Sequence, residues 1–122
     1  MPIRYVLDEH LRGPLWDLVL RHNRLGPNPI DVTRVGDPPD LPLGTSDPDL
    51  LMWAEREGRI LVSEDKSTMA THLASHLAGG RHSPGVMTPR PQTAFRLILE
   101  FLVVAAHASD DEEWADRISF IP

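Results

Sequence analysis

Arg59-Ile60-Leu61-Val62-Ser63-Glu64-Asp65 is a short apolar run that stops abruptly on two acids. Its length and its β-branched residues predict a buried strand, not a helix. Helices flank it on both sides. Upstream, Ser46-Asp47-Pro48-Asp49 opens a helix, with Asp47 expected as N-cap and Pro48 in the first helical position. Leu50, Trp53, Ala54 and Glu57 follow at helical spacing, and Gly58 stops the run. Downstream, 68–77 is expected to be helical up to Gly79-Gly80. A strand between two helices is the unit of a parallel α/β sheet.

The same alternation extends to both ends. Residues 3–7 predict a strand closed by Asp8, and 11–24 an amphipathic helix carrying Leu11, Leu15, Leu18 and Val19 on one side. The break Gly26-Pro27-Asn28-Pro29 precedes a strand over 30–35. Residues 36–45, rich in Pro and Gly, read as an irregular loop, and a loop of that length in a small domain is often functional. Further on come a short strand over 85–88, an apolar helix over 93–107, an exposed acidic run over 110–113 and a last strand over 117–121. The fold class expected is α/β: three layers, helix, sheet and helix, around a mostly parallel sheet of about five strands, with 1–122 forming one domain.

Composition narrows the function classes. The chain has 122 residues and a formal charge of −6 from 18 acidic and 12 basic side chains, which argues against coating nucleic acid by bulk charge. With no cysteine, disulfides, thiolate catalysis and Cys-ligated zinc are excluded. No apolar run approaches a membrane span and no signal peptide is visible, so a cytoplasmic location without membrane contact is expected. There is no P-loop, dinucleotide fingerprint or nucleophile elbow.

The chemistry-bearing residues are the acids. In an open parallel sheet, ligands bind beyond the carboxyl ends of the strands. Asp8-Glu9 follows the first strand directly, Glu64-Asp65 follows the third, and Asp47 enters a helix from the same edge. Converging carboxylates raise one another's pKa, and a divalent cation removes that conflict. An all-oxygen site in a chain without cysteine points to Mg²⁺ or Mn²⁺. Each acid also has a plainer role: Asp47 as helix cap, and Asp8, Glu9, Glu64 and Asp65 as negative charge at helix starts. His72 and His76 have metal-ligand spacing but no accompanying HExxH glutamate, so a half-buried helix face is the simpler reading. Trp16, Trp53 and Trp114 read as packing residues.

The order of these motifs resembles small proteins of the PIN-like group. Ile3-Arg4-Tyr5-Val6-Leu7-Asp8-Glu9-His10 is similar to their opening strand, which ends in Asp-Glu and usually Asn. Ser46-Asp47-Pro48-Asp49 resembles their Ser-Asp helix start, and Arg59 to Asp65 their strand ending in Thr-x-Asp. Gly80 with Pro84-Gly85-Val86 resembles their Gly…Pro-Gly-Val segment, and Glu112-Glu113-Trp114 one branch of the group. The likeness spans nearly the whole chain.

That resemblance implies a Mg²⁺- or Mn²⁺-dependent ribonuclease, in many relatives the toxin of a toxin–antitoxin pair. It implies metal-binding roles for Asp8, Asp47 and Asp65, with Glu9 beside them as a catalytic residue. It further implies an RNA substrate, single-stranded or structured, an antitoxin protein as partner, and a homodimer. Arg12, Lys66 and Arg90 are the candidates to hold phosphate. The departures are His10 for asparagine, Ser63 for threonine, and Ser67 where many relatives carry a second Asp. Asp65-Lys66-Ser67-Thr68-Met69 instead matches a branch with Asp-x-x-Thr-Met, which makes Ser63 and Thr68 supporting residues. Ser67 and the net charge also permit a catalytically silent binding module. A receiver-type phosphoacceptor needs a late lysine, and Lys66 is the sole lysine.

Overall fold

The computed structural model describes residues 3–11 and 13–122. Each apolar run forms a strand: β1 (Arg4–Leu7), β2 (Asp31–Arg34), β3 (Ile60–Val62), β4 (Val86–Pro89) and β5 (Ile118–Ile121). Between them lie α1 (Pro14–Leu25), α2 (Asp47–Glu57), α3 (Lys66–Ala78) and α4 (Phe95–Ala108). Two short 3-10 turns, Glu9–Leu11 and Asp111–Glu113, complete the order. The five strands form one sheet in the order β2-β1-β3-β4-β5, every pair parallel.

Strand alternation sorts the core into two layers. Tyr5, Leu7, Ile60, Val62 and Met87 face α1 and α4, together with Leu15, Val19, Ile98 and Leu102. Val6, Leu61 and Val86 face α2 and α3, together with Leu50, Leu51, Trp53, Met69 and Leu73. Burying each of these side chains stabilises the fold by roughly 1.5–3 kcal/mol. Tyr5 is fully buried, and its hydroxyl donates to Leu102 O at 2.7 Å, tying β1 to α4 and meeting the phenol's need for a partner. That burial pushes the Tyr5 phenol far above its ordinary pKa.

All four helix starts differ from the sequence expectation: α1 opens at Pro14, after a separate 3-10 turn over Glu9–Leu11, and α4 opens at Phe95, two residues later than expected. Ser46, not Asp47, caps α2: its side chain accepts from the Asp49 N–H at 3.3 Å, and Asp47 occupies the first helical position. Both residue types cap well, and the extended backbone at Ser46 (φ −67°, ψ 157°) decides between them. The helix after β3 begins at Lys66, two residues earlier than expected, because Asp65 caps it through the Thr68 N–H. Gly58 ends α2 in the left-handed region, as its lack of a Cβ allows. Among the described residues no helix is long and apolar enough to cross a membrane.

Candidate functional site

β2 lies on one side of β1 and every later strand on the other, so strand order reverses between β1 and β3. A crevice opens beyond the carboxyl ends of such a pair. Asp8 stands there. Its N–H donates to Val62 O at 2.9 Å, extending the ladder one residue past β1. Its side chain is almost enclosed, 8% exposed. Oδ1 accepts the Glu9 N–H at 2.5 Å, and Oδ2 accepts the Ser63 hydroxyl at 2.7 Å. Ser63 Oγ in turn accepts the Asp65 N–H at 3.2 Å. One buried hydroxyl therefore joins the acids that follow β1 and β3.

Asp47 reaches the same rim from the start of α2. Burial raises its pKa, and the negative charges of Asp8 and Asp65 raise it further, while His72 and His10 pull it down. Asp47 is thus within electrostatic reach of both Asp8 and Asp65. His72 Nε2 lies 3.8 Å from Asp47 Oδ2. With Ser46 as the cap, Asp47 has no capping duty to account for its presence. Among the described residues, no three His, Asp or Glu side chains already close around a common point as a cation would need.

Other residues singled out from the sequence fall nearby with different tasks. Glu9 is exposed, and its Oε1 accepts the Gly44 N–H at 2.7 Å, fastening the loop between β2 and α2 to the end of β1. Thr68 is exposed and contributes its N–H to the Asp65 cap. Lys66 Nζ lies 4.8 Å and Arg90 Cζ 5.1 Å from the centre of the Phe120 ring. Arg12 lies outside the described residues. His76 turns away from the rim: its Nε2 is 2.9 Å from Glu55 Oε1, so the two histidines of α3 do not share a ligand.

Two residues at this rim, Thr88 and Phe120, escaped the sequence reading, and two more, His72 and His10, were noted there without a link to the acids. His72 follows Asp65 by seven residues, two helical turns, and that spacing is a signal for a shared face. His10 was read only as a departure from asparagine. Thr88 continues the inward side of β4 two residues after Val86, the side on which Asp8 and Ser63 also lie, and its buried Oγ1 has no hydrogen-bond partner among the described residues. Phe120 alternates on an edge strand and nothing local marks it. Compared with family models, curated proteins and solved structures, the chain matches none.

Proposed function

We propose that the chain is a Mg²⁺- or Mn²⁺-dependent ribonuclease of the PIN-like kind. The observation that carries this reading is geometric: Asp8 sits almost enclosed at the end of β1, and Ser63 links its carboxylate to the backbone of Asp65 at the end of β3, with the raised pKa of Asp47 in support. Asp47, from a separate stretch of chain, meets the negative charges of Asp8 and Asp65 near the switch point of the sheet, a conflict that a bound cation would relieve. The donor set also fits a hard cation: carboxylate oxygens, with the hydroxyls of Ser63 and Thr88 alongside and no sulfur. The PIN-like resemblance adds the substrate class, RNA, and a toxin–antitoxin pair as the setting.

Asp8, Asp47 and Asp65 would hold the ion, which supplies positive charge for a phosphodiester and lowers the pKa of bound water. The protein's own contribution is placement. Ser63 fixes the Asp8 carboxylate, the strand ladder fixes its backbone, and Glu9 holds the neighbouring loop in position. His72 keeps a titratable nitrogen beside Asp47.

The test is cleavage of single-stranded RNA in Mn²⁺. The wild-type chain is expected to cut, and Asp8→Asn and Asp65→Asn each to slow cutting by about a hundredfold or more, since even partners of metal ligands cost ten- to hundredfold. Cutting that survives both substitutions removes these acids from the mechanism. A catalytically silent binding module is the second reading, favoured by the absence of a closed three-ligand group among the described residues. Calorimetric titration separates the two: a tight Mn²⁺ site supports the nuclease, and no binding below the millimolar range supports the silent module.

A further inference from the structure

Beyond Asp65 the same rim continues into a cleft of about 600 Å³. Lys66, Arg90, Gln92, Thr93 and Phe120 line it, with Glu64 also on its wall. Its chemistry is unlike that of the rest of this acidic chain. Lys66, the sole lysine, occupies the first turn of α3, where the helix dipole disfavours a cation. Arg90 follows β4 directly, its N–H bonded to Ile121 O at 3.3 Å. Both side chains gather over the ring of Phe120, and neither forms an ion pair with an acid among the described residues. The ring itself is 39% exposed. α4 begins beside the cleft with Ala94 at its cap position, so no side chain satisfies its first N–H groups. Gln92 is held in the left-handed region (φ 66°), a conformation that a side chain other than glycine adopts at a cost.

Two unpaired cations on one exposed aromatic ring, beside an uncapped helix start, suit a phosphate attached to a flat apolar group. We infer that this cleft binds single-stranded nucleic acid. Lys66 and Arg90 hold a phosphate, and an adjacent unpaired base lies against Phe120. The inference rests on the ribonuclease reading for its choice of ligand, but binding here needs neither a cation nor Asp8.

The experiment is fluorescence anisotropy of a labelled RNA hexamer on the full chain in EDTA, where no cutting occurs. Arg90→Gln, Lys66→Gln and Phe120→Leu are each expected to weaken binding roughly tenfold. Arg81→Gln, on the far rim, serves as control and is expected to leave binding unchanged. A nucleoside monophosphate is expected to displace the hexamer better than inorganic phosphate, and duplex RNA to bind more weakly. Thermal melts of each variant separate a lost contact from a lost fold, and Phe120→Leu keeps the apolar bulk that Phe120→Ala would remove. The cleft is overturned if the hexamer does not bind, if all three substitutions leave binding unchanged, or if inorganic phosphate competes as well as the nucleotide. Metal-dependent cutting with intact Phe120-independent binding sinks the cleft alone. Phe120-dependent binding without cutting in Mn²⁺ sinks the nuclease alone.

Discussion

The two ends of the sheet treat their carboxylates in opposite ways. At the carboxyl end of the strands, Asp47 is pushed up by burial and by the negative charges of Asp8 and Asp65. At the amino end, Glu55 and Asp116 are both held below the ordinary carboxylate range. For Glu55 burial works upward but is outweighed by the His82 N–H, Arg81 and His76. For Asp116 the Ser83 N–H is the main cause and His82 the second. There each acid lies near cationic groups or donors: Glu55 Oε1 is 2.9 Å from His76 Nε2 and 3.3 Å from Arg81 Nε, Glu55 Oε2 accepts the His82 N–H at 3.4 Å, and Asp116 accepts the Ser83 N–H at 2.7 Å. One end surrounds its acids with opposite charge and N–H donors. The other sets Asp47 near the negative charges of Asp8 and Asp65, with His72 and His10 as counterweights.

The contrast breaks most severely at Gly85. This residue enters β4 at φ +124°, and a Cβ on it would overlap the carbonyl oxygen of Trp114. Gly85→Ala is therefore expected to cost about 3 kcal/mol or more, lowering the melting temperature by at least about 10 °C. A melt within two or three degrees of wild type would show that the amino end yields easily and is no firmer than the other.

Acid titration sharpens the comparison next. Glu55 and Asp116 have depressed folded pKa values, so their contribution is fully present above the ordinary values of 4.5 and 3.8. It is lost as pH falls below those values and through the depressed ones. Unfolding followed by circular dichroism should show stability dropping below about pH 4.5, and a Glu55→Gln/Asp116→Asn double variant should flatten that drop. A wild-type curve unchanged by the double substitution would assign acid lability to other groups.

The smallest effect belongs to Asp47. Its folded pKa is raised, so the penalty is absent below the ordinary value of 3.8, grows as pH rises through the raised value and persists at neutrality. Asp47→Asn is expected to stabilise the metal-free chain at pH 7 by about half a kcal/mol. The relief of repulsion is partly offset by a lost charge at the start of α2. Urea denaturation in EDTA measures it, and a destabilised variant would mean that Asp47 serves the helix and not a site.

Much of the fold was legible because apolar runs and their stops are local. Ile60-Leu61-Val62 announces a strand from its own composition, and Gly58 and Gly79 end helices for reasons contained in a few neighbouring residues. The cap of α2 was misassigned by one position because Ser46 and Asp47 are both good caps, and only the backbone turn between them separates the two. The element order alone put Asp8, Asp47 and Asp65 on one edge, since strand ends and a helix start fall together in a parallel sheet. Thr88 and Phe120 were not legible, and His72 was legible as a half-buried helix residue but not as a neighbour of Asp47. Whether a helix or edge strand turns a given side chain toward a neighbour depends on packing angles that no short stretch of sequence encodes. The strand order, which puts β1 and β3 side by side at the reversal, is likewise decided by the whole chain.

Ser63 carries a consequence for anyone redesigning this rim. Its single oxygen donates to one acid and accepts from the backbone of the other, so two separate stretches of the polypeptide take their alignment from one rotor. A threonine there would preserve the link and stiffen it, whereas an alanine would sever both connections at once. The direct link between the two acidic stretches thus runs through a neutral side chain and not through the charged residues themselves.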